Sequence, residues 1–80
     1  MSRLEQKLVE LGYKQDEFCL AYYYKYINYG FLFKIFLKDN NKNIKRKDIW
    51  FGCYEMNLDV VEKLCNEMQK DLEILKECEG

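Results

Sequence analysis

Phe18-Cys19-Leu20-Ala21-Tyr22-Tyr23-Tyr24-Lys25-Tyr26-Ile27, then Asn28-Tyr29-Gly30, then Phe31-Leu32-Phe33-Lys34-Ile35-Phe36-Leu37-Lys38: this stretch decides the fold of the 80-residue chain. Both apolar runs are dense in aromatic residues, which fit a pleated, half-buried surface. The Asn-Tyr-Gly between them is a turn signal. In the second run Phe31, Phe33, Ile35 and Leu37 alternate with positions that include Lys34, Phe36 and Lys38, the period-2 pattern of a strand with one covered face. The first run has aromatics on both parities. Phe18, Leu20, Tyr22, Tyr24 and Tyr26 share one, while Cys19, Ala21, Tyr23, Lys25 and Ile27 share the other.

Outward from this pair, Asp39-Asn40-Asn41-Lys42-Asn43 reads as a loop, because Asn and Asp tolerate left-handed backbone. A third strand follows over about Lys45 to Glu55, with Ile49, Phe51 and Cys53 on one parity and Trp50, Gly52 and Tyr54 on the other. Ser2 and Glu5 form a capping box, and Gly12 sits where a glycine closes a helix, with Leu4, Leu8 and Leu11 as its apolar stripe. Asn57 is a good N-cap for a last helix of roughly twenty residues, with Asp59 in its first turn. Leu58, Val61, Cys65, Met68, Leu72 and Leu75 recur along it at spacings of three and four, a heptad-like seam. The expected fold is therefore α+β: α-β-β-β-α, a three-stranded antiparallel meander with both helices on one face, forming a single domain over residues 1–80.

Two amphipathic helices each need apolar surface to cover. Placing both on one side of the meander covers Phe18, Leu20, Tyr22, Phe31, Phe33, Ile35, Leu37, Ile49, Phe51 and Cys53. It leaves Tyr23, Lys25, Lys34, Phe36, Lys38, Trp50 and Tyr54 on the opposite face as candidate partner-binding residues. Trp and Tyr anchor protein interfaces, and the same rings can stack on bases. A basic loop, Lys42, Lys45, Arg46 and Lys47, is the strongest local charge signal. It is suited to phosphates or an acidic protein surface, or simply to shielding a sheet edge.

Composition narrows the function. Histidine is absent, so the usual general base and the Ser–His and Cys–His pairs are unavailable. The four glycines, Gly12, Gly30, Gly52 and Gly80, are isolated and form no phosphate loop. The four cysteines lie 34, 12 and 13 residues apart with no close pair, whereas zinc ligands must converge. They read as reduced, partly buried thiols. The chain therefore reads as a non-enzyme, without cofactor or metal. Residues 1–54 carry ten Lys/Arg against six Asp/Glu, and residues 55–80 three against eight. The acidic second half argues against nucleic acid as the favoured partner. The N-terminal Met1-Ser2-Arg3-Leu4-Glu5 has no signal-peptide apolar core, and no apolar run is long enough to span a membrane, so a cytoplasmic location, of a bacterium or of an infected host cell, is expected.

Leu4-Glu5-Gln6-Lys7-Leu8-Val9-Glu10-Leu11-Gly12-Tyr13 and Met68-Gln69-Lys70-Asp71-Leu72-Glu73-Ile74-Leu75-Lys76 resemble a group of small phage and prophage proteins of low-GC Gram-positive bacteria. Short phage proteins of this kind often block host defences by binding an effector, as anti-CRISPR proteins do. The resemblance implies an inhibitor whose partner is a host defence protein, a CRISPR effector among the choices. It carries over no functional residue. Two other expectations stand beside it: a nucleotide- or nucleic-acid-binding or sequestering module, and a small structural homodimer.

Overall fold

The structure, a computed structural model, describes residues 1–28, 30–52 and 55–80. Helix α1 (Arg3–Glu10) leads into a short strand β1 (Lys14–Gln15), then β2 (Tyr22–Asn28), β3 (Phe31–Lys38), β4 (Asn43–Phe51) and helix α2 (Leu58–Lys76). The strands form one antiparallel sheet in the order β1-β2-β3-β4. The α+β class and the antiparallel meander hold, with four strands instead of three.

Local chemistry sets each boundary. The Ser2 hydroxyl accepts the Glu5 N–H at 3.1 Å and the Glu5 carboxylate accepts the Ser2 N–H at 2.9 Å, completing the capping box. At the other end Gly12 takes φ +94°, its N–H donates to the Val9 carbonyl, and the Tyr13 N–H reaches back to Leu8 at 2.9 Å. This double bond pattern around a left-handed glycine is a Schellman closure. Asp39, Asn40 and Asn41 are all left-handed, as their residue types allow. Asn57 caps α2 by accepting the Asp59 N–H at 2.8 Å.

Both helices pack on the same side of the sheet. Leu4 and Leu8 of α1 and Leu64, Met68, Leu72 and Leu75 of α2 share one core with Tyr13, Tyr23, Phe31, Phe33, Ile35 and Leu37. Full burial of an aliphatic or aromatic side chain contributes roughly 1.5–3 kcal/mol, so this cluster is the main source of cohesion.

Three expectations fail here. The first long strand starts at Tyr22 and not at Phe18, because the Asp16 carboxylate accepts the N–H groups of both Phe18 and Cys19, at 3.0 and 2.8 Å. That local bonding competes with a ladder, and Phe18 is left 95% exposed. The seam of α2 also departs from the heptad. Leu58 is 80% exposed and Cys65 is exposed, while Leu64 is buried. A straight helix drifts about 20° per heptad, so towards the N-terminus the covered stripe passes from the Leu58–Cys65 line to Leu64.

The third failure matters most. Asn28 pairs with Phe31, but the register shifts between Tyr26 and Asn28, so Tyr26 faces Leu32, Tyr24 faces Lys34 and Tyr22 faces Phe36. A one-residue slip turns every side chain of a strand to the other face. Tyr23 and Lys25 therefore point towards the helices and Tyr22, Tyr24 and Tyr26 away from them, the reverse of the expected assignment. Leu20, also expected under the helices, is exposed. Cys53, expected on the covered face, lies outside the described residues.

Candidate docking face

On the face away from the helices, the pairings of β2, β3 and β4 set nine side chains in a three-by-three array. One row is Tyr22, Phe36 and Arg46, the next Tyr24, Lys34 and Asp48, the third Tyr26, Leu32 and Trp50. Lys14 of β1 extends the middle row beside Tyr24. Six of the nine are aromatic or aliphatic, and neither helix covers them.

The rings are arranged among themselves. Tyr22 and Phe36 stack at 4.7 Å between centroids with only 10° between their planes. Tyr22 and Tyr24 are tilted at 5.6 Å, and Tyr24 meets Tyr26 edge-on at 5.8 Å. Such pairs contribute about 0.5–1.5 kcal/mol each, so the rings brace one another across the array. At its far end Tyr26 and Trp50 are 73% and 50% exposed on either side of Leu32.

Charges are threaded through the rings. The Lys34 ammonium lies 5.8 Å from the Tyr22 centroid, and Arg46 Nε pairs with Asp48 at 2.8 Å. Burial, with help from the Asp16 carboxylate and the neighbouring tyrosines, pushes the Tyr22 hydroxyl above its ordinary value, so it stays a neutral donor. The array thus offers flat aromatic surface, hydroxyl donors and two lysines with an ion pair at the rim.

Of the candidate binding residues, Lys34, Phe36 and Trp50 lie in this array, and Lys38 is exposed at the end of β3 opposite Asn43. Tyr54 lies outside the described residues. Tyr23 and Lys25 are corrected: both are on the helix side. Tyr23 is fully buried and donates its hydroxyl to Glu5 at 2.9 Å. Lys25 donates to Asp71 at 2.7 Å and to the Leu11 carbonyl at 3.1 Å, with its ammonium 4.7 Å from the centre of the Tyr13 ring. They are fasteners of α1 and α2, not contacts for a partner. In their place the array contains Tyr22, Tyr24, Tyr26 and Leu32, which the sequence reading did not select. Three same-parity tyrosines, each with a polar hydroxyl, were the available signal.

The basic loop is also redrawn. Lys42 is in the turn after β3, but Lys45, Arg46 and Lys47 belong to β4 itself. Lys45 falls where the β3–β4 register shifts and has no cross-strand partner. Only Arg46 of the three faces into the array.

Among the described residues no group of three or more Cys, Asp or Glu side chains converges as a metal site. Cys19 and Cys65 are free and exposed, and Cys78 is free and half-buried. No helix of the described residues is long and apolar enough to cross a membrane. No family model, curated protein or solved structure matches the chain.

Proposed function

We propose that this chain is a non-catalytic interaction domain that docks another protein onto the open face of its sheet. One observation carries the reading: six apolar or aromatic side chains, four of them in mutual ring contact, lie together on a surface that the two helices do not cover. Large rigid aromatics lose little conformational entropy on binding, which is why they serve as anchors. In the finer form of the proposal the domain is a phage-type inhibitor whose target is a bacterial defence effector in the host cytoplasm. That form rests on the sequence resemblance of the two terminal helices and on the domain's small size.

The test compares the tagged protein with a Phe36→Ala/Trp50→Ala variant as baits in bacterial lysates that contain known defence systems. Retention of one effector by the parent and its loss from a variant with unchanged circular dichroism support the reading. A tight dimer that retains no other protein, with the dimer lost in the variant, assigns the face to self-association. Steeply salt-dependent binding of an oligonucleotide assigns it to the nucleic-acid-binding alternative.

A further inference from the structure

β4 is the outer strand of the sheet and runs for nine residues. In an antiparallel ladder, alternate residues of an outer strand turn their N–H and C=O groups away from the sheet. The first such position here is already occupied. The Ile44 N–H donates not to β3 but to the Glu79 carboxylate at 3.2 Å, and the Gly80 N–H donates to the Lys42 carbonyl at 3.2 Å. The Glu79 side chain and the Gly80 backbone thus already bond at the beginning of the β4 edge and in the turn before it.

Beyond that point the edge is basic. Lys45, Arg46 and Lys47 are all exposed. A groove of about 250 Å³ runs between them and α2, floored by Ile44 and Leu72 and flanked by Lys76 and Glu79. With Arg46 paired to Asp48, Lys45, Lys47 and Lys76 against the Glu79 carboxylate make an electropositive channel alongside unpaired backbone. The same charges disfavour a second copy. Two β4 edges set side by side would oppose Lys45, Arg46 and Lys47 to the same run, and like charges facing across strands are destabilising.

We infer that the free edge of β4 takes an acidic extended segment of a partner protein as a fifth strand. Backbone bonds to β4 supply affinity, and carboxylates opposite Lys47 and Lys76 supply the choice of partner. This surface meets the ring array only at Arg46 and otherwise does not rest on it.

The probe is a blocked octapeptide of alternating glutamate and valine, titrated into the intact protein while amide hydrogen exchange is followed. The expected result is saturable binding with exchange of the outward amides of residues 46–50 slowed about tenfold or more. Lys47→Glu, an exposed substitution whose fold circular dichroism verifies, should weaken binding about tenfold, whereas Tyr24→Ala on the ring array should leave it unchanged. Three outcomes overturn the inference. An alternately N-methylated peptide of the same charge binds equally well; the lysine–valine counterpart binds equally well; or a single-stranded oligonucleotide binds more tightly than the peptide without protecting β4.

Discussion

The Lys25 ammonium lies 2.7 Å from the Asp71 carboxylate, and the two side chains are 21% and 14% exposed. Asp71 also accepts the Tyr13 hydroxyl at 2.9 Å. One carboxylate on α2 thus gathers β2, the residue after the Schellman turn and, through Lys25, the Leu11 carbonyl at the end of α1. Truncating one member of such a partly buried pair leaves the other poorly solvated. Asp71→Ala should therefore cost about 2–3 kcal/mol in urea unfolding, and Lys25→Met less, because methionine keeps the packing of the stem. A double-mutant cycle should show coupling of about 1 kcal/mol or more. Strict additivity would mean that the two groups do not depend on each other.

The second fastener predicts how stability changes with pH. Burial works against the Glu5 carboxylate, but bonds from the Ser2 N–H, the Asn41 amide and the Tyr23 hydroxyl outweigh it and hold its pKa below the ordinary 4.5. A group whose folded pKa is depressed contributes stability that is present above its unfolded value and lost as pH falls through the folded one. Unfolding free energy should thus decline below pH 4.5. Glu5→Gln should flatten that decline. Tyr13 and Tyr23 act at the other extreme. Burial first, then the Asp71 and Glu5 acceptors, raise both hydroxyls above 10.0. Their contribution is present below that pH and lost above it. Acid denaturation curves that superimpose for the parent and Glu5→Gln would show that this carboxylate does not carry the effect.

The contrast between these fasteners and the ring array shows what was legible in the chain. Caps, turn residues and the alternation of β3 are local signals, and the capping box, Gly12, Asn57 and the left-handed Asp39–Asn41 turn all appear where residue chemistry put them. The two-residue strand β1 has no apolar pattern and arises only because Tyr24 and Tyr23 offer it a ladder. The face of β2 was illegible for a different reason. Both of its parities are aromatic, so a register shift between Tyr26 and Asn28 decides which one is buried. Lys25 tolerates the inner side only because Asp71, 46 residues away, meets it there. No local window contains that pair.

Closure of α1 gives a third prediction. Gly12 has φ +94°, and a Cβ built there would lie 3.5 Å from Lys25 Cδ, an ordinary contact. Space is therefore not the obstacle to a side chain; the left-handed backbone is. Gly12→Ala should cost about 1–2 kcal/mol, and Gly12→Asn should recover part of it, since asparagine visits that region more readily. Thermal melts of the two variants decide the point: equal losses would indicate crowding, and no loss in either would mean the turn does not limit stability.

Stability also separates the ring array from the core, independently of any partner. Phe33 is buried between β2 and β4 and touches the helix side, whereas Trp50 is half exposed and Phe36 is partly covered by its stack on Tyr22. Phe33→Ala should cost about 3–5 kcal/mol. Phe36→Ala should cost about 1–2 kcal/mol, mostly the lost stack, and Trp50→Ala no more than about 1 kcal/mol. An exposed aromatic that adds little to folding is free to contribute elsewhere, so a small loss at Trp50 leaves its ring available for docking. A Trp50→Ala loss as large as that of Phe33→Ala would place Trp50 in the core and remove the basis for the open docking face.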